Sequence, residues 1–227
     1  MPTPITLPHP AVSRDVPAAP RAAAPIALTG SIELMGAPMT FARNAEIYGE
    51  NEPADYVYKV VAGTVRTYKI LADGRRQIGA FYLPGDVFGL EAGESHLFSA
   101  EAVTGATVLV VKRSALIALA NRDGDVARQL WAFTASELSR VQQHMLLLIK
   151  SAQERVASFL IEMAERFACA ETIELPMSRQ DIADYLGLTI ETVSRTLTQL
   201  ESRAAIALPT SRRIVLRNRR ALNALNA

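Results

Sequence analysis

The 227-residue chain is 49% hydrophobic and 21% charged, apolar enough to build a core and too apolar for wholesale disorder. It holds no run of about 18 apolar residues, which excludes a membrane-spanning helix, and its single cysteine, Cys169, excludes an internal disulfide and a cysteine-held zinc or iron–sulfur centre, as suits a reducing, cytoplasmic setting. The net charge of +1 hides an asymmetry: residues 176–227 carry eight Arg, no Lys and four acidic residues, a net of +4 that leaves −3 on the remainder and points to a local anionic partner.

Residues 1–29 contain Pro2, Pro4, Pro8, Pro10, Pro17, Pro20 and Pro25 among Ala, Thr and Ser. Such a segment buries little and holds no helix, and it lacks the charged start and apolar block of a secretory signal. It is expected to be a disordered leader. From Met39 to Lys112 the pattern is that of short strands. Tyr56–Val61 and Thr64–Ile70 are separated by Ala62-Gly63, and the second alternates Val65 and Thr67 against Arg66 and Tyr68. Ala72-Asp73-Gly74 turns the chain into Gln77–Tyr82, Leu83-Pro84-Gly85-Asp86 turns it again, and Ala102-Val103 and Ala106–Val111 supply further strands. Many short strands punctuated by Gly and Pro predict a small β-barrel or jelly roll over residues 30–120.

After Ser114 the period becomes helical. Between Asp125 and Lys150 there is no Gly or Pro, and Ala127, Leu130, Thr134, Leu138, Val141, Met145 and Leu148 recur at steps of three and four. That predicts a helix of roughly 26 residues, about 39 Å long, within residues 121–150. Its stripe is longer than one small barrel covers, so a homodimer is expected along it. Gln153–Phe167 continues as a second helix with Val156, Phe159, Leu160 and Met163 on one face.

Two short helices follow. Ser178 is an N-cap with Asp181 three residues on, and Ile182, Ala183 and Leu186 form the inner face of the first helix. Gly187 offers the positive φ needed to reverse the chain. Thr189 caps the second helix, whose buried stripe is Val193, Leu197 and Leu200. This is a helix-turn-helix, the motif that places its second helix in the major groove of double-stranded DNA. Ile190, Glu191, Ser194 and Arg195 lie on the opposite face, near the helix start. Arg can grip guanine O6 and N7, Glu can accept from cytosine N4, and an apolar tip can meet a thymine methyl. Glu191 and Arg195 are also an i,i+4 pair that would stabilise a merely solvated helix. Inside this motif, base readout by the four residues is the expectation. Ala205–Leu208 and Arg212–Leu216 around Pro209-Thr210-Ser211 predict a hairpin wing. Arg212 and Arg213 there, with Ser178, Thr189 and Thr192, are the candidates for contacts to the DNA backbone.

The run Asp181-Ile182 … Tyr185-Leu186-Gly187-Leu188-Thr189 … Glu191-Thr192-Val193-Ser194-Arg195, behind a β-rich domain and a long helix, resembles the CRP/FNR superfamily of bacterial transcription regulators, and within it the FNR and FixK types. The resemblance implies an α+β chain: an N-terminal cyclic-nucleotide-binding-like β-roll or jelly roll, a long dimerisation helix, and a C-terminal winged helix-turn-helix over residues 146–219. It implies a palindrome of the form TTGAT-N4-ATCAA, with Arg195 on the guanine and Glu191 orienting it. It further implies an activator that recruits RNA polymerase, for which the Ala72–Arg75 turn is a candidate contact, and control of microoxic, anaerobic or nitrogen-related genes.

The departures from the family pattern bear on sensing. Iron–sulfur sensors of the FNR type ligate their cluster mainly through N-terminal cysteines, and residues 1–168 contain none. Cyclic-AMP sensors pair a Glu for the ribose with an Arg for the phosphate, where this chain has Leu90 and Phe98. A cyclic phosphate there would lack its countercharge. His9, His96 and His144 are scattered and suggest neither a haem ligand nor the metal cluster of a cupin enzyme. The expectation is therefore no catalytic residue, no metal, no cofactor and no membrane partner. The alternative function is a signalling protein whose barrel binds a small effector other than cyclic AMP. Cys169 is expected to be a buried, inert thiol, with a redox switch, which needs an exposed thiol of lowered pKa, as the alternative.

Overall fold

Tyr58, Val60 and Val65 are buried in one cluster from two consecutive strands, and the turn between those strands can be made only by glycine. Gly63 has φ +81°, and a Cβ built there would lie 2.2 Å from the Gly105 carbonyl oxygen. The computed structural model describes residues 35–169 and 171–225; the proline-rich leader expected at 1–29 lies outside them. The first part of the described chain is β1 (Ala37–Phe41), β2 (Glu46–Tyr48), β3 (Tyr56–Ala62), β4 (Val65–Ile70), β5 (Arg76–Tyr82), β6 (Val87–Phe88), β7 (Ser99–Ala102) and β8 (Ala106–Lys112). They pair antiparallel in two four-stranded sheets, ordered β1-β8-β3-β6 and β2-β7-β4-β5. Val60, Val65, Ala100, Ala102 and Val108 are fully buried between them. Strands β1, β2 and β6 were not among the expected ones. β2 and β6 are too short for a period to show, and β1 has four of its five residues exposed, so it lacks the alternation that marks a half-buried strand.

The helices are α1 (Arg113–Ala120), α2 (Gly124–Leu148), α3 (Ala152–Arg166), α4 (Arg179–Leu186), α5 (Ile190–Ser202) and α6 (Arg219–Ala224). β9 (Thr172–Glu174), β10 (Ile206–Ala207) and β11 (Arg213–Leu216) make a small antiparallel sheet in the order β10-β11-β9. Asp123 caps α2 by accepting from the N–H groups of Asp125 and Val126. A full capping box at Ser151 and Glu154 starts α3 afresh after the break at Ile149-Lys150.

Two expectations need correction. Leu130 does not join the outward stripe of α2. It packs on the cluster of Val57, Val87, Val111, Leu116 and Val126, and Trp131, 76% exposed, takes its place beside Leu138, Val141 and Met145. The barrel covers the Leu130 side of α2, so the apolar stripe read from spacing alone was one residue off at its start. The β4 pattern likewise set Arg66 on the outer side with Tyr68. Arg66 is in fact 6% exposed, because α4 covers that face of the sheet. Barrel and helix-turn-helix share one core. Ile78, Phe81 and Val103 pack with Val156, Phe159, Leu160 and Met163 of α3 and with Ile182, Tyr185 and Leu186 of α4.

Candidate nucleic-acid interface

Each helix of the helix-turn-helix begins on a side-chain cap. Ser178 Oγ accepts from the Asp181 N–H at 3.1 Å, and Asp181 Oδ2 accepts from the Ser178 N–H at 2.9 Å and its hydroxyl at 2.8 Å. Such a cap contributes about 1 kcal/mol. The hydroxyl expected to meet the DNA backbone is thus occupied within the fold. α4 ends at Gly187, left-handed with φ 61° and ψ 41°. Thr189 then caps α5, its Oγ1 accepting from the Thr192 N–H at 3.2 Å, and the Thr189 and Thr192 hydroxyls lie 3.1 Å apart. Val193, Leu197 and Leu200 are buried against the first helix and α3.

The outer face of α5 carries the residues singled out for base contacts. Ile190, Glu191 and Arg195 are exposed and Ser194 is half-buried. The Glu191 carboxyl is held below its ordinary value by its own backbone N–H and by the Thr189 hydroxyl, so it remains an anionic acceptor. Arg179, at the start of α4, donates through Nη1 to Ser194 Oγ at 3.2 Å. In the wing, Thr210 Oγ1 accepts from the N–H groups of Arg212 and Arg213 at 3.3 and 2.9 Å. The Arg213 side chain is exposed and Arg212 half-exposed. Arg203, Arg217 and Arg220 are also exposed, while Arg219 lies 3.9 Å from Glu165.

The sequence did not single out the residues that fasten this reading head to the barrel. Asp181, 4% exposed, accepts from Arg66 Nη1 at 2.9 Å and Arg76 Nη2 at 2.6 Å, and Arg76 Nε reaches Asp184 at 2.7 Å. Arg66 Nη2 also pairs with Glu101 at 2.9 Å. Burial alone would raise the Asp181 carboxyl. The Ser178 N–H and hydroxyl and the two guanidinium groups outweigh it and hold the carboxyl below its ordinary value. A second tie joins Asp86, in the turn after β5, to Arg166 of α3 at 2.5 Å, with Arg140 of α2 at 3.7 Å. The strand alternation gave no sign of the first tie, since it set Arg66 opposite Val65 and Thr67.

The barrel interior is filled with rings. Tyr48 stacks on His96 at 3.5 Å, and Tyr58 and Tyr82 stack on Phe88 at 5.1 and 5.0 Å. His96, expected in a surface or packing role, is 1% exposed with Nδ1 3.0 Å from Glu91 Oε1. Tyr82 donates to Glu137 of α2 at 3.3 Å, with the Arg140 guanidinium over its ring. Leu90 is packed against the apolar cluster under α1, and the Phe98 ring lies over Gly79. Neither position offers a cyclic nucleotide a charge, so the side chains present do not fit that ligand. Among the described residues no group of His, Cys, Asp and Glu could hold a metal, and no helix is long and apolar enough to cross a membrane. Cys169 is half-buried rather than buried, its Sγ donating to the Phe167 carbonyl at 3.3 Å.

A capped helix pair reversing at glycine, a basic wing and an antiparallel barrel behind a long helix define a winged helix-turn-helix transcription regulator with a barrel of the cyclic-nucleotide-binding type. Residues 154–225 match the Crp-like helix-turn-helix domain, and residues 38–123 match the cyclic nucleotide-binding domain. The chain is 54% identical over 202 residues to the nitrogen fixation regulation protein FixK of Azorhizobium caulinodans, covering 86% of this chain and 82% of that one. It is 45% identical over 167 residues to the transcriptional activatory protein AadR of Rhodopseudomonas palustris, covering 71% of this chain and 70% of that one. It superposes on the solved structure of FixK2 from Bradyrhizobium japonicum with a TM-score of 0.81 at 57% identity, covering 85% of this chain and 98% of that one. The chain belongs to the CRP/FNR family of transcription regulators and is FixK-like within it.

Proposed function

We propose that the protein is a homodimeric, cytoplasmic transcription activator that reads a TTGAT-N4-ATCAA-like palindrome. The observation that carries this reading is the outer face of α5, where Ile190, Glu191, Ser194 and Arg195 share one side of a helix whose other side is buried. Arg195 takes guanine, Glu191 takes the opposite strand, and Ile190 meets a thymine methyl. Thr189, Thr192, Arg212 and Arg213 contact phosphates, and Ser178 acts through the helix end that it caps. Trp131, Leu138, Val141, Met145 and Ile149 form a stripe of exposed apolar side chains along and just beyond α2. Two such stripes pair about a two-fold axis, which sets half-sites about 10–10.5 bp apart, centre to centre.

Likeness to the nitrogen fixation regulation protein FixK and to the anaerobic regulatory protein of Pasteurella multocida supports nitrogen-related or anaerobic genes as its targets, where, as the family resemblance implies, it recruits RNA polymerase rather than catalysing a reaction. The ring-filled barrel supports DNA binding that does not wait for cyclic AMP. Footprinting of the purified protein without added nucleotide tests the reading. Protection of both arms of the palindrome, lost when the arms are moved apart by half a helical turn, is the expected result. Equal protection of unrelated DNA would overturn it.

A further inference from the structure

Arg179 spends its guanidinium in an unusual way. Its Nη1 donates to the Ser194 hydroxyl oxygen across fifteen residues of chain, although the same helix carries two carboxylates. Those carboxylates, Asp181 and Asp184, are already taken by Arg66 and Arg76 from the barrel. Arg179 Nε is buried with no hydrogen-bond partner among the described residues. The guanidinium is therefore held by the recognition helix and not by an acid of its own.

A serine hydroxyl has one proton and two lone pairs, whereas arginine can only donate. The contact fills a lone pair of Ser194 and leaves its proton to be given elsewhere. Two other hydroxyls of α5 turn back on the helix: Thr198 donates to the Ser194 carbonyl and Ser202 to the Gln199 carbonyl. Among the described residues, none accepts from Ser194.

We propose that Arg179 is a positioning residue that fixes the Ser194 hydroxyl as a hydrogen-bond donor toward the DNA. Ser194 then selects a base that presents an acceptor in the major groove, such as thymine O4 or purine N7, and disfavours cytosine, which presents a donor. A serine free to rotate would take either kind of base and select little. Selectivity at one base pair is thereby set by a residue on the first helix. This rests on the docking of α5 proposed above.

The test measures affinity for a panel of duplexes, each substituted at one position of both half-sites, across a salt series. Ser194→Ala and Arg179→Met are compared with the parent, with circular dichroism to confirm folding. Ser194→Ala is expected to lose about fivefold discrimination per half-site at one base pair. Arg179→Met is expected to lose discrimination at that same base pair, and the double variant to lose no more than either single one. If Arg179→Met weakens every duplex alike and lowers the salt slope, Arg179 is a phosphate anchor and the proposal is wrong. It is also wrong if Ser194→Ala changes no base preference. Arg195→Ala run on the same panel separates the two readings. If that variant keeps its guanine preference, the docking itself has failed. If it loses that preference while Arg179→Met keeps the Ser194 selectivity, only the positioning role has.

Discussion

Arg66 Nη1 and Asp181 Oδ1 stand 2.9 Å apart across 115 residues of chain, and neither residue is more than 6% exposed. One belongs to the barrel sheet and the other caps the first helix of the DNA-binding motif. The same carboxylate thus closes the Ser178 capping box and receives two barrel arginines. The orientation of the reading head is written into side chains that an effector would otherwise have to set.

Removing Arg66 leaves the buried Asp181 with one guanidinium where it had two and takes the ion-pair partner from Glu101. Arg66→Ala should destabilise the protein by about 3–5 kcal/mol. Asp181→Ala should cost at least as much, since it also removes the cap. The two should not fully add, because they share one interaction. Urea unfolding of both single variants and the double variant checks this, and strict additivity would count against a direct coupling.

The same carboxylate makes stability depend on pH. The folded Asp181 is held below its ordinary value of 3.8, so its contribution is fully present above that value and is lost as pH falls through the lower folded one. Asp181→Asn should flatten the stability curve in that acidic window and leave its slope near pH 7 unchanged. Thermal unfolding between pH 2.5 and 7 measures both.

Much of this was legible in the sequence, and the reasons it failed elsewhere are physical. Gly187, Ser178 and Thr189 act locally, so the caps and the reversal follow from residue type and spacing. Val193, Leu197 and Leu200 follow from a single period. Arg66 could not be placed, because its burial depends on a helix that arrives more than a hundred residues later. Trp131 replaced Leu130 in the outward stripe because the barrel, and not the heptad, decides which side of α2 is covered. Arg179 looked like one more basic residue, and only the fold brings it to Ser194.

The exposed stripe on α2 predicts an assembly. Val141, 58% exposed, lies at its middle between Leu138 and Met145. Val141→Glu would set like charges face to face in an apolar seam, and the dimer should weaken at least tenfold. Trp131→Ala should weaken it as well, whereas Leu130→Ala should act mainly on barrel stability. Sedimentation velocity over a concentration series distinguishes these outcomes, and a Val141→Glu protein still fully dimeric at low concentration would place the seam elsewhere.

The barrel filled by Tyr48, Tyr58, Tyr82, Phe88 and His96 predicts indifference to cyclic AMP. A ligand present at a hundred times its Kd would add about 2.7 kcal/mol of stability. Thermal unfolding with millimolar cyclic AMP should show no such shift, and operator affinity should not change. A protein that binds its operator only after the nucleotide is added would overturn the reading of Leu90 and Phe98.

Base reading by α5 is tested most directly at Arg195. Fluorescence anisotropy with the palindrome and with guanine-substituted duplexes, in parent and Arg195→Ala proteins, measures it directly. The account predicts a loss of about 1–3 kcal/mol per half-site on the palindrome and little further loss on the substituted duplexes. Arg212→Ala and Arg213→Ala should instead weaken all duplexes alike and lower the salt slope. An Arg195→Ala protein that still prefers guanine at that position would contradict the account and require another docking of the helix.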